Sequence, residues 1–367
     1  MLIRILVERP EPLAGSAVTE GNEPLRFDGW LELLAVVAEL VAAAPSSDED
    51  GDGQTDRMTR NGGADRHLRS LRSWRRPDQE TRRPGMSTRR DHRGRTDAAG
   101  AGTFTLGGDR AVHRLGFGAM RLPKDRSQAH ALLRRAVQLG VGLIDTAEFY
   151  GPGTSERLIA EALHPYPDGL VIATKGLTHP PDRWGQPGHP ERLREAVEGS
   201  LRRLRLEQID LYQLARIDPT VPAEEQVGVL AELRQQGKIR HLGLSEVGVE
   251  QLQAAREVVP VAAVQNRYSL ADRAWEAVLD YCEGAGIAFL PWFPLGAGRL
   301  AEAGGALDEV AGRHRATPAQ VALAWLLRRS PVLLPIPGTS SVAHLEENLA
   351  ASALRLADDE FQLLGSM

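Results

Sequence analysis

Three residues of the 367-residue chain have the types and spacing to put a proton on a carbonyl oxygen. Asp145 closes the apolar run LID, Tyr150 follows in the loop TAEFYGPG, and Lys175 closes the next apolar run, VIATK. A lysine ammonium beside a phenol stabilises the phenolate and lowers the tyrosine pKa, while an aspartate keeps that ammonium charged and placed. A tyrosine tuned this way is a general acid near neutral pH, worth about 10² to 10⁴ in rate, and a carbonyl accepting hydride needs one. Taken singly, the lysine reads as a solvated rim charge and the tyrosine as packing. Their shared position at the ends of neighbouring strands is what points to chemistry. No H-E-x-x-H or C-x-x-C spacing supplies metal ligands, and neither a G-x-S-x-G elbow nor a P-loop occurs.

These residues need a scaffold that brings strand ends to one mouth. From Thr103 the sequence opens with TFTLGGDRAVHRLGFG, which alternates around a Gly-Gly turn as a β-hairpin does. Apolar runs then take turns with amphipathic stretches: LGFGAM, GLIDTA, LVIATK, IDLYQLA, RHLGLS, VAAVQN, AFLPWF and LLPIPG are the predicted strands. Helices are predicted over 127–139, 155–163, 190–204, 223–236, 249–258, 271–284, 318–329 and 342–350. About eight strand-helix units over roughly 250 residues is the arithmetic of a (β/α)₈ barrel, with an open doubly wound sheet as the alternative. Neither GFGAMR nor LGAGRL makes the G-x-G-x-x-G turn of that open sheet. Asp145, Lys175, Gln213, Ser245 and Gln265 all sit at strand C-termini, the reactive rim of a barrel.

Residues 1–102 read differently. Residues 1–45 are expected to form an extension of strand MLIRILVE, a Pro/Gly-rich turn region and an apolar helix from Asp28 to Ala44, too short and too acidic to cross a bilayer. Residues 46–102 are expected to be a disordered charged linker, acidic and then basic, before the barrel of 103–367. The basic run is open to a nucleic-acid role, but Trp74 is its lone aromatic and a solvated linker explains it with less. Met86 lies within it, and a translation start there would leave the barrel a short polar leader. With 44 Lys and Arg against 49 Asp and Glu, the net charge of -5 gives no global basic field for nucleic acid. Cys282 has no partner for an internal disulfide, which fits a reducing cytoplasm.

From Thr103 onward the chain resembles the aldo-keto reductases, through LIDTAEFYGPGTSE, VIATK, IDLYQL, IRHLGLS, VQNRYSL, PWFPLGAG and IPGTSSVAHLEEN. The last motif, with the hairpin and FPLG, resembles the bacterial branch that includes pyridoxal reductases. The resemblance implies a (β/α)₈ barrel that reduces a small carbonyl substrate with NADPH, Tyr150 being proton donor and Lys175 and Asp145 tuning it. It further implies that Ser245, Glu246 and Gln265 face the nicotinamide carboxamide, and that Trp292 stacks on the ring. Gly118, Ala119 and Met120 are implied to line the cofactor, and Pro294, Leu295 and Gly296 to follow the pyrophosphate. Gly338, Thr339, Ser340 and His344 would take the 2′-phosphate at a helix start, with Glu347 and Asn348 at the adenine. A monomer is expected, with pyridoxal as the favoured substrate and no membrane partner.

The sequence departs from the family pattern in three places. Ala215 stands where the active-site histidine is expected, so polarisation of the carbonyl falls to Tyr150 alone or to Gln213, Arg216 or the substrate. Glu246 replaces an asparagine and, when ionised, cannot donate a hydrogen bond. Gly338 and His344 replace basic residues, so a modest preference for NADPH over NADH is expected. Ala215 and Glu246 also leave open a second reading, a cofactor-binding protein with weakened turnover that serves as a redox-responsive partner.

Overall fold

The computed structural model describes three strands within residues 3–28, and then residues 97–176, 188–296, 300 and 305–366. The chain divides into two compact units, Met1–Met86 and Ser87–Met367. In the first unit, β1 (Ile3–Pro10), β2 (Leu13–Thr19) and β3 (Leu25–Asp28) form an antiparallel sheet in that order. The sequence foretold β1 but not the other two. Pro12 and Gly15 make Leu13–Thr19 look like a turn region, yet pairing from Ile3↔Thr19 to Pro10↔Leu13 makes it a strand. Asp28, expected to open a helix, ends β3; the rest of that expected helix, to Ala44, and the linker up to residue 96 lie outside the described residues.

The second unit starts before Thr103. Ala98–Ala101 forms a 3-10 turn capped by Asp97; its Ala98 N–H donates to the Leu139 carbonyl at 2.9 Å. The expected linker therefore ends short of residue 97, because Ala98 and Ala101 are buried. The hairpin of β4 (Thr103–Leu106) and β5 (Arg110–His113) follows, its turn holding Gly107 and Gly108 at positive φ.

Strands and helices then alternate: β6 (Phe117–Gly118), α1 (Arg126–Gln138), β7 (Leu143–Asp145), α2 (Thr154–Leu163), β8 (Val171–Gly176), α3 (Pro190–Leu204) and β9 (Ile209–Leu214). Next come α4 (Ala223–Gln235), β10 (Ile239–Ser245), α5 (Val249–Val258), β11 (Val261–Gln265), α6 (Glu276–Ala285) and β12 (Ala288–Phe289). The chain finishes with α7 (Ala306–His314), α8 (Pro318–Arg329), α9 (Val342–Ala350) and α10 (Asp358–Gly365). The sequence did not foretell α7. It also began α6 too early, because a tight turn pairs Ser269 with Asp272 before the helix can start.

Strands β6 to β12 lie side by side in sequence order, all parallel. The predicted eighth strand, LLPIPG, closes the barrel through single bridges, Phe289↔Leu333 on one side and Gly118↔Gly338 on the other. Leu334 N–H donates to Phe289, while the carbonyls of Pro335 and Pro337 accept from Gly116 and Gly118. Neither proline has an N–H to return, so the seam is held on that side by acceptance only. The barrel fold expected from the sequence is the fold observed.

Two buried clusters follow from the strand period of two. Leu143, Val171, Ala173, Leu211, Ala263, Ala288, Leu334 and Ile336 face the barrel interior, where Leu106 and Val112 of the hairpin join them. Ile144, Ile172, Tyr212, Leu214, Leu242 and Val264 point outward to the helices. At the seam the backbones approach so closely that a Cβ on Gly118 would stand 2.6 Å from the Ile336 carbonyl oxygen. Gly118→Ala is expected to cost about 1–3 kcal/mol, as overpacking does, read as a lower denaturant midpoint at unchanged slope.

Candidate active site

The period that sends Leu143, Val171 and Leu211 inward also sends Asp145, Lys175 and Gln213 inward at the C-terminal ends of β7, β8 and β9. Lys175 Nζ donates to Asp145 Oδ2 at 2.6 Å and to the Thr146 carbonyl at 3.0 Å. Asp145 Oδ1 accepts from Gln213 Nε2 at 3.0 Å and from Gln265 Nε2 at 2.8 Å. Gln265 Nε2 also reaches Gln213 Oε1 at 3.2 Å. Asp145, Lys175, Gln213 and Gln265 are all buried, and one carboxylate thus ties together β7, β8, β9 and β11. Gly243 makes room for this inward glutamine: a Cβ there would stand 2.8 Å from Gln213 Cγ.

Tyr150 comes to the same mouth, its ring centre 5.1 Å from Lys175 Nζ and its edge on Phe149 at 5.1 Å. The residue as a whole is half-buried. The sequence led us to expect a lowered tyrosine pKa; the net direction is upward. Desolvation of the phenol raises it most, Lys175 pulls it down, and Asp145 pushes it up again. The carboxylate cancels much of the ammonium's field, so the tyrosine stays a firm proton holder. Burial works against the Lys175 ammonium, but Asp145 and Tyr150 outweigh it and hold the pKa above the ordinary lysine value.

The loop carrying Tyr150 is pinned from both ends. Thr146 Oγ1 donates to Ser155 Oγ at 2.8 Å, and Ser155 Oγ donates to the Ala119 carbonyl at 3.1 Å, joining the rim after β6 to the start of α2. Glu156, fully buried, accepts from Thr174 Oγ1 at 2.6 Å and Arg203 Nε at 2.5 Å. The sequence reading missed Thr146, Ser155 and Glu156. The only signal was an alternation of hydroxyl and acid residues around Tyr150, which composition alone does not distinguish from a capped helix start.

On the far side, Ser245 Oγ donates to the Gln265 carbonyl at 2.7 Å. Glu246 takes a left-handed φ of 56°, and Phe293 one of 54°. Non-glycine residues held there carry roughly 1–3 kcal/mol of strain each and cluster at functional sites. The strained Glu246 carboxylate accepts from Trp292 Nε1 at 2.6 Å and from the Arg267 N–H at 3.2 Å. Instead of lacking a role, the glutamate positions the half-exposed indole. Asn266 backs this arrangement by exchanging hydrogen bonds with the Val247 backbone, and it too was missed.

The remaining candidates lie around the seam. Gly118 and Gly338 bridge, Met120 is exposed, and Pro294, Leu295 and Gly296 follow Trp292, with Gly296 at φ 56°. Thr339 Oγ1 accepts from Ser341 N–H at 3.0 Å, and Ser341, not Ser340, caps α9. His344 is exposed. Glu347 turns to Thr317 Oγ1 at 2.8 Å, tying α9 to α8, and Asn348 is buried. Ala215 is buried and offers no side-chain donor, and Gln213 places one amide N–H on Asp145. Arg216 is exposed. Among the described residues no group of His, Cys, Asp and Glu could hold a metal ion, and no helix is long and apolar enough to cross a membrane.

Comparison with known proteins bears on what this site does. The aldo/keto reductase family matches residues 114–367. An uncharacterized oxidoreductase of Schizosaccharomyces pombe is 48% identical over 278 residues, which is 73% of this chain and 90% of that protein. Pyridoxine 4-dehydrogenase of Escherichia coli is 45% identical over 278 residues, 71% of this chain and 96% of its own. Among solved structures, an aldo-keto reductase from Klebsiella pneumoniae in complex with NADPH is similar at a TM-score of 0.64 and 30% identity, covering 72% of this chain and 94% of that one.

Proposed function

Because the chain belongs to the aldo/keto reductase family, we propose that it reduces a small aldehyde or ketone with NADPH, Tyr150 delivering the proton. The observation carrying this reading is the buried Asp145–Lys175 pair at 2.6 Å, with the ammonium 5.1 Å from the Tyr150 ring centre. Bound NADPH supplies the hydride for the carbonyl carbon. Tyr150, kept protonated because its phenol is desolvated, gives its proton to the carbonyl oxygen as charge grows there. The phenolate left behind faces the Lys175 ammonium, which Asp145 keeps charged and in place. Pyridoxal is the favoured substrate: the likeness to Escherichia coli pyridoxine 4-dehydrogenase supports it, and Ala215 is a smaller side chain than the histidine it replaces.

The donor set fits a nicotinamide. Gln265 donates through Nε2 to Asp145 and Gln213, which leaves Oε1 to accept, and the Ser245 hydroxyl, already donating, can also accept. Glu246 can only accept. The carboxamide would therefore be held through its NH₂ group, with the Trp292 indole, fixed by Glu246, as the ring's neighbour. An NADPH analogue with an acetyl group in place of the carboxamide loses that donor, and in a fluorescence titration it is expected to bind about three- to tenfold more weakly. Gly338, Thr339 and Ser340, just before the capped start of α9, would take the 2′-phosphate through backbone N–H groups and hydroxyls.

Steady-state NADPH oxidation with pyridoxal and a panel of aldehydes and ketones, with the alcohol product identified, tests the reading. Conversion of pyridoxal to pyridoxine supports it. Tight NADPH binding with no carbonyl turned over favours instead the cofactor-binding protein of weakened activity, the outcome that Ala215 would explain.

A further inference from the structure

Behind the loop that carries Tyr150, on the outer wall between α2 and α3, lies a crevice of about 280 Å³ lined by Arg157, Glu161, Arg202, Arg203 and Arg205. Its charges are unequally matched. Glu161 is already paired with Arg126 at 2.5 Å and His130 at 3.2 Å, so its carboxylate is spent on α1. Arg203 is engaged with Glu156 at 2.5 Å and Glu148 at 3.7 Å. Arg157 donates to the Pro152 carbonyl at 3.1 Å and to Thr154 Oγ1 at 3.3 Å, which are uncharged acceptors. Among the described residues no carboxylate lies within ion-pair distance of Arg157, Arg202 or Arg205, all of which are exposed. Arg205 also holds a left-handed φ of 55° at the end of α3, where glycine would sit without strain. Three guanidiniums thus line one crevice without an ion-pair partner among the described residues, one of them at a strained position.

We propose that this crevice is a binding site for a small phosphate-bearing metabolite. Arginine forks match the geometry of phosphate oxygens, remain charged at every physiological pH, and recognise a dianion by paired hydrogen bonds. A volume of about 280 Å³ is at the small end for ligand pockets, which suits a phosphate ester of few carbons. The site also touches the catalytic loop. Gly153 packs so tightly on this cluster that a Cβ there would stand 2.5 Å from Arg203 Cδ and 3.1 Å from Arg157 Nη1.

The test is calorimetric titration of the full chain, saturated with NADPH, with inorganic phosphate and with glycerol phosphate, chloride at equal ionic strength serving as the blank. Saturation keeps phosphate out of the cofactor's own phosphate site. Wild type is expected to bind both probes, and Arg202→Gln/Arg205→Gln to bind them at least about tenfold more weakly, with NADPH affinity and phosphate-free melting temperature unchanged. Arg202→Lys/Arg205→Lys, which keeps the charge but not the fork, is expected to fall between. Equal affinity in wild type and the glutamine variant, or heat no larger than the chloride blank in wild type, overturns the proposal. Failure of NADPH itself to bind counts against the proposed function, and the same titration without cofactor still compares the variants.

Discussion

Tyr150→Phe is expected to lower kcat for NADPH-dependent carbonyl reduction by about 10²- to 10⁴-fold, the worth of a positioned general acid. The change removes one hydroxyl and little else. Lys175 keeps its bonds to Asp145 at 2.6 Å and to the Thr146 carbonyl at 3.0 Å, and the ring keeps its edge contact with Phe149. Cofactor affinity and melting temperature should therefore stay close to wild type, which separates a lost proton from a lost fold. If the variant reduces carbonyls at the wild-type rate, Tyr150 is not the donor. The direction of the tyrosine's shift adds a second reading of the same role. Burial raises its pKa above the ordinary value of about 10, so the protonated, donating form persists across neutral and mildly alkaline pH. The rate of reduction at saturating NADPH should be flat there and decline only in strong alkali, while alcohol oxidation, which needs the phenolate, should rise with pH.

Lys175→Met is expected to cost about 3–5 kcal/mol of stability as well as activity, because it strands a buried carboxylate. Asp145 keeps its two glutamine donors but loses the one cation paired with it among the described residues. Adding Asp145→Asn should recover stability without recovering turnover, since the charge is then gone from both sides. A single variant as stable as wild type near neutral pH would mean that the pair is not desolvated. The folded-state pKa of Lys175 is raised, so the pair's contribution is complete below the ordinary lysine value and is lost as pH climbs through the raised one.

The strand period was the most legible part of the molecule. It placed Asp145, Lys175, Gln213, Ser245 and Gln265 on one rim, and the barrel puts them there. What could not be read was where each side chain spends its hydrogen bonds. Gln213 spends one amide N–H on Asp145 across the barrel mouth, and Glu246 spends its carboxylate on the Trp292 indole. Such partners lie across the barrel mouth and are set by tertiary approach, to which local sequence is blind. The upward direction of the tyrosine shift is illegible in the sequence for a related reason: the lysine's charge can be read there, but the desolvation of the phenol and the strength of the aspartate's opposing field cannot. Leu13–Thr19 was missed because pairing with β1 overrides the turn-like signals of Pro12 and Gly15.

The seam between Gly118 and Gly338 has a consequence for how the protein is made. Contacts between distant parts of a chain form only after both have left the ribosome, and closing so long a loop is entropically slow. Asp145 and Lys175 leave the ribosome early and can pair once β7 and β8 are out, whereas Gly118 must wait for almost the whole barrel to be translated. A nascent or truncated chain that ends before Gly338 therefore lacks the segment that closes the barrel.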